Sequence, residues 1–512
     1  MFKRHENLRR KKTGDNVYQG IQPREINSLF EASAPIGTSL NGVWHTFIKL
    51  VQPLKKIFIL DLTLVLLATI FNALLPYIAG RLIDALAADL SQQDFSFTGN
   101  SLQILAVYLG FVLMFTLLYR INALVLVYFE PAFTALSRAR LTDHTLGRSV
   151  AFLSNKFAGR LVHSVNEITR ASYAIIDHLR WSVIEPFVTS LILIGTAMTV
   201  HPYFSLLLTI WLILYIGGIV AMTYGLRQDI EQVAQKKGEG SAAITDSVTN
   251  FLTVKMFASR NSEINQLNTL LSEESDSGKR FLMKVFIIKA YQGLLELCLF
   301  ATSAWIIWSL WQQQDISVGQ ISLILSSAFM IADYLWSFSS QMINFSQDVG
   351  SMSESIEQIE EFQNSAQLPH GGDEKFLPEK GQIIFNNLSF SYNKESTLFK
   401  GLQLKINAGE RIGIVGHSGS GKSTLVKLLL RFYDVNDNEI VIDRQNITKL
   451  DPDSIRKNIA VIPQDANLFN RSVLENIRYG RLDATDEEVY EAAKNANAHD
   501  FITNLPQGYQ TR

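Results

Sequence analysis

Cysteine is almost absent from this sequence, since Cys298 is the only one among 512 residues. A disulfide framework within the chain needs at least two cysteines, and a cysteine metal site needs several, so both are excluded. The nine histidines show no spacing that is typical of metal ligands. We therefore assign no redox or zinc function.

Charge is also scarce. Charged residues make up 18% of the chain against 47% hydrophobic residues, which is unusual for a soluble enzyme. The formal net charge of −2 argues against a nucleic-acid partner. The first fifty residues are polar and lack the apolar core of a secretory signal. The apolar surplus must therefore be concentrated in particular segments.

Six segments are long and apolar enough to cross a bilayer, and none lies beyond residue 345. A soluble bundle of buried helices is the alternative, but stretches such as TSLILIGTAMTV are apolar all round a helix. We expect an α-helical membrane bundle of six transmembrane helices. The segments lie at roughly 57–80, 102–129, 181–200, 203–226, 286–311 and 317–340.

Basic residues predict how this bundle is oriented. Lys and Arg are missing from Leu82 to Tyr119, but 131–180 contains seven and 227–289 contains nine. The amino terminus and both long loops are therefore expected in the cytoplasm, with the bundle in an inner or plasma membrane. Both loops have helical patterns, so we expect cytoplasmic extensions of the membrane helices whose tips can touch a soluble domain. Solvated helical connections are the alternative.

A phosphate-binding motif lies near the carboxyl end. Residues 416–424 read GHSGSGKST and match G-x-x-x-x-G-K-[ST], with apolar RIGIV before them and helical LVKLLLRF after. The glycines let backbone N–H groups turn toward phosphate oxygens, Lys422 would reach the β and γ phosphates, and Ser423 would ligate Mg²⁺. A glycine-rich surface turn is the alternative. The expected ATP-binding residues here are Gly416, Ser418, Gly419, Ser420, Gly421, Lys422, Ser423 and Thr424.

The chain is expected to divide in the Pro- and Gly-containing stretch that follows the sixth span. We expect a polar cytoplasmic segment at 1–40, a transmembrane domain at 41–350, a linker at 351–380 and a nucleotide-binding domain at 381–512. In the last of these, QIIFNNLSFSY, RIGIV, EIVIDR and NIAVIP predict short strands of an α/β P-loop core.

Three motifs follow one another in residues 381–512: Tyr392 in FSY, the phosphate loop, and Gln464 in VIPQDANLF. In their order and spacing these motifs resemble those of the ATP-binding cassette family. With six spans before them, the chain resembles an exporter-type half-transporter with fused membrane and nucleotide domains. The resemblance implies that Tyr392 stacks on adenine and that Gln464 is catalytic, close to Mg²⁺ and the attacking water. A tyrosine packed in the sheet is the alternative reading of Tyr392.

The same resemblance extends to the two cytoplasmic loops. SNKFAGRLVHSVNEI and AAITDSVTNFLTVKMFASRNSE are similar to the loops that bear coupling helices in the family. It also implies that the phosphate-loop strand lies centrally in a mostly parallel sheet.

The sequence departs from the family at three places. Asn438 and Arg444 stand where glycine is usual in two turns; the first change is mild because Asn tolerates a left-handed conformation, and the second could shift its turn. The sequence also stops at Arg512, before the LSGGQ signature, the acidic strand, the catalytic glutamate and the switch histidine. We therefore expect this chain alone not to hydrolyse ATP, and interpret it as part of a longer exporter.

The resemblance implies ATP-driven export of an unidentified solute by a dimer of half-transporters, identical or different, in contact with membrane lipid. The alternative is a regulatory or degenerate subunit of a heterodimer that binds ATP without turnover.

Two carboxylates within the spans, Glu296 and Asp333, are expected at a similar depth. Charges inside spans usually face a cavity or a partner, so an acidic patch that selects cationic or amphipathic cargo is one hypothesis. The alternatives are solvation at the inner boundary and pairing with Arg120 in the second span.

Overall fold

The computed structural model describes residues 40–90, 99–147, 158–336, 338–360, 372, 374–393, 396–463 and 468–512. The chain forms two compact units, Met1–Gln367 and Leu368–Arg512. The last helix of the first unit continues to Glu360, so residues 351–360 are helical where the linker was expected to begin.

The first unit is helical. Six helical stretches of its described residues are long and apolar enough to cross a membrane, as the sequence predicts, and the chain is an integral membrane protein. Its helices are α1 (Leu40–Val51), α2 (Lys55–Ala73), α3 (Leu75–Leu90), α4 (Gly99–Leu146), α5 (Ala158–His178), α6 (Glu185–Met198), α7 (Pro202–Tyr224), α8 (Arg227–Thr249), α9 (Phe251–Met256), α10 (Arg260–Gln312), α11 (Val318–Trp336) and α12 (Phe338–Glu360).

Two helices extend far beyond the membrane. Helix α4 has 48 residues and α10 has 53. At 1.5 Å per residue they are roughly 70–80 Å long, against about 30 Å for the hydrocarbon core of a bilayer. The polar part of α10 packs against α8, and Lys236 of α8 pairs with Glu273 of α10 at 2.8 Å. The predicted helical extension of the second long loop is confirmed.

Two clusters of buried apolar side chains hold the first unit together. One lies among α6, α7, α10 and α11 and includes Leu193, Phe204 and Ile331. The other lies among α1, α4, α5 and α12 and includes Phe129 and Met352. Each cluster joins helices that are distant in sequence, so packing rather than local propensity sets which spans are neighbours.

Helices α3 and α11 approach most closely at a pair of glycines. A Cβ atom on Gly319 would lie 2.0 Å from the carbonyl oxygen of Gly80, and one on Gly80 would lie 2.6 Å from that of Gly319. Beside this contact, Asp84 of α3 accepts hydrogen bonds from the Gly319 N–H and the Ser317 hydroxyl, both at 2.7 Å. Asp84 thereby satisfies orphan donors at the start of α11.

The second unit contains a small antiparallel sheet. Its strands β1 (Ile383–Asn393), β2 (Ser396–Ile406), β3 (Ile440–Ile442) and β4 (Gln445–Asn446) lie in the order β2-β1-β3-β4. The helices are α13 (Lys422–Leu429), α14 (Pro452–Arg456), α15 (Val473–Arg478), α16 (Asp486–Asn495) and α17 (His499–Thr503). Phe385, Leu428, Ile440 and Ile455 form a core between the sheet and helices α13 and α14.

Two of the four predicted strands are wrong in the described structure. QIIFNNLSFSY forms β1 and EIVIDR contains β3, but RIGIV and NIAVIP are not strands. A strand requires hydrogen bonds to a neighbouring strand, and among the described residues neither segment has one. Their apolar side chains are correspondingly exposed, with Val415 at 93% and Ile462 at 97%. The expected parallel sheet around the phosphate loop is therefore not formed by these residues.

We expect Gly319→Ala to destabilise the protein by about 2 kcal/mol, because the added methyl group forces α3 and α11 apart. The matched control is Gly110→Ala in α4, where a Cβ atom has nothing within 4 Å, and which should be neutral or slightly stabilising. Thermal unfolding of the full chain in detergent measures both. Equal unfolding temperatures for the two variants would contradict the prediction.

Candidate nucleotide-binding site

The three glycines of the phosphate loop are required for different reasons. Gly419 has a φ of +81° and Gly421 has a φ of +93°, values that L side chains rarely adopt. A Cβ atom on Gly421 would also lie 2.7 Å from the Phe399 ring. Gly416 has no positive φ, but a Cβ atom there would lie 2.7 Å from the Ser420 hydroxyl. The loop conformation therefore depends on glycine at 419 and 421, while a Cβ atom at 416 would require the Ser420 side chain to move.

Lys422 begins helix α13 and folds back over the loop. Its ammonium group donates hydrogen bonds to the carbonyl oxygens of Gly416 and His417, both at 2.8 Å. The positive charge is thus held above the loop and close to the positive end of the α13 dipole. This combination suits a phosphate group, because an anion bound there meets a cation, N–H donors and a helix amino terminus together.

The two hydroxyl residues that follow lie in different surroundings. Ser423 is exposed, as a metal ligand at the loop would need to be, while Thr424 is 7% exposed. The Thr424 hydroxyl is hydrogen-bonded to the Tyr392 hydroxyl at 2.8 Å. This hydrogen bond ties the end of β1 to helix α13. The sequence did not suggest it.

Part of Tyr392 packs against other aromatic rings, and part of it is exposed to solvent. Its ring makes edge contacts with Phe390 at 5.0 Å and Tyr433 at 5.2 Å, and 47% of the residue is exposed. Packing in the sheet and stacking on adenine are therefore both compatible with the position of Tyr392, and stacking on adenine stays a prediction. The other predicted nucleotide residue, Gln464, lies outside the described residues.

The two glycine replacements are both accommodated in left-handed backbone. Asn438 has a φ of 60°, as expected for Asn in such a turn. Asp443 and Arg444, with φ of 47° and 63°, form the two-residue turn between β3 and β4. Strands β3 and β4 still pair as a hairpin across the turn that contains Arg444. The left-handed conformation of a residue with a side chain costs about 1 kcal/mol.

Asp443 anchors the start of β1. Its carboxylate accepts hydrogen bonds from the N–H groups of Glu379, Lys380, Gly381 and Gln382 at 2.8–3.1 Å. Burial acts to raise the pKa of this carboxyl, but the four donors outweigh it and hold the pKa below its usual value. Because the folded-state pKa is lowered, the stabilisation is present above the unfolded-state pKa and is lost as pH falls through the folded-state pKa.

The two predicted cargo carboxylates are not joined to each other. Glu296 is half-buried on α10 and Asp333 is exposed on α11. Within the described ranges no ion pair connects either of them to Arg120, so that alternative is not supported.

A different carboxylate, Glu185, forms a polar cluster inside the bundle. Its Oε1 atom accepts hydrogen bonds from the hydroxyls of Tyr119 at 2.5 Å and Tyr334 at 3.0 Å. Tyr334 in turn accepts a hydrogen bond from the Asn72 amide at 2.8 Å. Glu185 thereby links α2, α4, α6 and α11.

A buried ion pair lies nearby in sequence. Arg180, in a π-helical turn at Leu179–Ile184, pairs with Asp61 of α2 at 3.2 Å. Their side chains are 1% and 0% exposed, and Asn122 of α4 donates to the same carboxylate at 2.8 Å. Sequence reasoning missed both groups. The available signal was Asp61 and Glu185 inside predicted apolar spans, with Arg180 at the edge of one.

Two family models match the chain. The model described as ABC transporter transmembrane region matches residues 58–333, and the model described as ABC transporter matches residues 399–511. The first match covers more than half of the chain and includes most of the helical bundle. The second contains the phosphate loop and implies ATP binding by this segment.

Several known proteins are similar to this chain over most of its length. "Heavy metal tolerance factor 1" of Caenorhabditis elegans is 26% identical, covering 98% of this chain and 62% of that protein. "Toxin RTX-I translocation ATP-binding protein" of Actinobacillus pleuropneumoniae is 28% identical, covering 97% and 68%. "Iron-sulfur clusters transporter ATM1, mitochondrial" of Chaetomium globosum is 28% identical, covering 86% and 74%. The chain thus spans about three fifths of the first of these relatives.

A solved structure supports the fold. The structure of a bacterial Atm1-family ABC exporter with ATP bound matches with a TM-score of 0.74 and 24% identity. The match covers 90% of this chain and 80% of that one.

We expect Asp443→Asn to remove about 2 kcal/mol of local stability at neutral pH, because an amide is a weaker acceptor for the four N–H groups. Hydrogen–deuterium exchange of residues 379–382 in the full chain measures the loss. The control Asp483→Asn alters an exposed carboxylate and should change nothing.

In the unchanged protein the same amides should lose protection as the pH falls below the usual range of an aspartate, after correction for the intrinsic exchange rate. Protection that is independent of both pH and the Asp443 charge would contradict this account.

Proposed function

Since this chain belongs to the ABC transporter family, we propose that it is one half of a dimeric exporter that uses ATP to move a solute across a membrane. Six membrane-spanning helices and a nucleotide-binding segment occur in one chain, which is the organisation of a half-transporter. The partner is a second half-transporter, of the same or a different sequence.

The phosphate loop carries the proposal. Gly419 and Gly421 hold the left-handed conformations that the loop needs, and the Lys422 ammonium lies on the loop carbonyls. These groups would hold the phosphates of ATP, and exposed Ser423 would hold Mg²⁺. Tyr392, tied to Thr424, would support the base, and Gln464 would be catalytic.

ATP can drive transport only if it binds one conformation of the dimer more tightly than another. We propose that the α8–α10 hairpin transmits this preference to the membrane helices. Its tip helix α9 exposes Phe251, Leu252 and Met256 at 60–75%, together with the adjoining Phe257 at 76%. Apolar side chains at the end of a polar hairpin are suited to a contact with a nucleotide domain.

We further propose that the nucleotide domain lies in the cytoplasm and that the bundle crosses an inner or plasma membrane. The distribution of Lys and Arg between the long and short loops supports this orientation.

The cargo hypothesis for Glu296 and Asp333 stays a prediction. If they form a cation-selecting patch, replacing both with amides should lower cation transport by the complete transporter, because the attraction for a positive charge is removed. Transport of a neutral solute by the same variant is the control. Unchanged cation transport would reject the patch.

We expect Lys422→Ala to weaken ATP binding by about a hundredfold, since two charge-assisted contacts to phosphate are lost. Titration of the full chain with a fluorescent ATP analogue and Mg²⁺ measures the change. Lys427→Ala, in the same helix but outside the loop, is the matched control and should bind normally. Equal binding by both variants would refute the proposed site.

A further inference from the structure

A pocket of about 590 Å³ lies within the membrane unit. It is formed by α2, α3, α4, α10 and α11, and is open on one side. Sites that hold small molecules in proteins typically measure about 300–1,000 Å³. The size of this pocket therefore suits a compact organic solute.

The lining is aromatic and uncharged. Tyr108, Phe300 and Phe329 are aromatic, and no Asp, Glu, Lys, Arg or His occurs among the residues that line it. A charged group enclosed there would lose water and find no counter-charge. Neither Glu296 nor Asp333 lines the pocket. The lining therefore favours a ligand whose bound part is neutral.

Asn72 is the one amide in this lining, and its orientation is determined by its neighbours. The Tyr334 hydroxyl donates its only hydrogen to Glu185 at 3.0 Å, so it can only accept from Asn72. The Asn72 NH₂ group must then face Tyr334, at 2.8 Å, and the amide oxygen faces elsewhere. In the part of the chain that the structure describes, that oxygen accepts no hydrogen bond.

Glu185 and Tyr334 do not line the pocket, so they act through Asn72 as positioning residues. The Tyr119 hydroxyl occupies the same carboxylate oxygen at 2.5 Å, which fixes Glu185 between α4 and α11. With its NH₂ group engaged by Tyr334, Asn72 has its amide oxygen left as an acceptor, in a lining that also contains aromatic side chains. A site that hydrogen-bonds a ligand group discriminates against an analogue that lacks this group.

We propose that this pocket binds neutral aromatic solutes that carry a hydrogen-bond donor, and that the Asn72 amide oxygen recognises that donor. This inference deepens the proposed function, on which it rests, by naming the class of cargo. Its test uses no nucleotide, so its failure is distinct from a failure of ATP binding at Lys422.

The probe is N-phenyl-1-naphthylamine, a neutral molecule whose N–H donates a hydrogen bond. Its matched analogue is 1-benzylnaphthalene, in which CH₂ replaces N–H and the shape is kept. Binding of the radiolabelled amine to the full chain in lipid nanodiscs is measured, with empty nanodiscs subtracted and the analogue as competitor. We expect saturable binding and a preference for the amine of about fivefold.

A third probe tests the charge requirement. The sulfonate 1-anilinonaphthalene-8-sulfonate has the same ring system with a negative charge, and we expect it to bind at least about tenfold more weakly than the neutral amine.

Variants separate recognition from shape. Asn72→Leu should abolish the preference for the amine over its analogue. Tyr334→Phe leaves the lining residues unchanged but should reduce that preference, because the amide is no longer oriented. Phe329→Ala should weaken both probes equally and keep the preference. The controls Tyr224→Phe and Phe187→Ala alter exposed residues outside the pocket and should bind as the unchanged chain does.

Five results would overturn the proposal, of which four concern the probes and variants in nanodiscs. Those four are an absence of saturable binding, equal affinity for the amine and its analogue, a preference that survives in Asn72→Leu, and tight binding of the sulfonate. Saturable binding in detergent that disappears in nanodiscs would mean that bilayer lipid fills the pocket, and would also overturn it.

Discussion

A charge that is buried inside the protein must find its partner there, and the membrane bundle is arranged around that requirement. Arg180 and Asp61 are 3.2 Å apart and almost fully buried. Removing Arg180 should cost about 3–5 kcal/mol, because Asp61 would be left buried without a counter-charge, whereas Arg180 also pairs with Asp177 at 2.6 Å. Three segments must therefore keep their register: α2 with Asp61, α4 with Asn122, and the π-helical turn with Arg180. The π-helical turn lies directly before Glu185, so it is continuous with the second polar cluster.

The Glu185 cluster extends the same constraint to the lining of the proposed cargo site. Two tyrosines from different helices donate to one carboxylate oxygen, and one of them orients Asn72 in the lining of the pocket. A polar group in a lipid-facing bundle is costly unless every partner is present, so the cluster defines a single arrangement of α2, α4, α6 and α11. The pocket is lined mainly by apolar side chains, and its one amide, Asn72, is oriented by Tyr334 and Glu185, which do not line it.

Several residues of the nucleotide-binding unit adopt left-handed backbone conformations, and nearby hydrogen bonds offset the strain at two of those that have side chains. Gly419 and Gly421 adopt left-handed conformations without cost from a Cβ atom, whereas Asp443 and Arg444 adopt them despite having side chains. The Asp443 carboxylate offsets that strain by binding four successive N–H groups at the start of β1. Strand β1 is thereby anchored at its beginning by Asp443 and near its end by the Tyr392–Thr424 hydrogen bond.

The sequence by itself determined the features that depend on neighbouring residues. A run of about twenty apolar residues is enough to specify a membrane span, and nine consecutive residues specify the phosphate loop, since its glycines, lysine and hydroxyls act within one turn. Tertiary structure alone decided the pairings between distant residues. RIGIV and NIAVIP have the composition of strands but no paired neighbour among the described residues. Strand β2 was not predicted from the sequence, because it too depends on pairing with another strand. Asp61 finds Arg180 119 residues away, and Asn72 finds Tyr334 262 residues away. Composition cannot reveal such partners, because a side chain's neighbours across a bundle are set by helix packing rather than by sequence spacing.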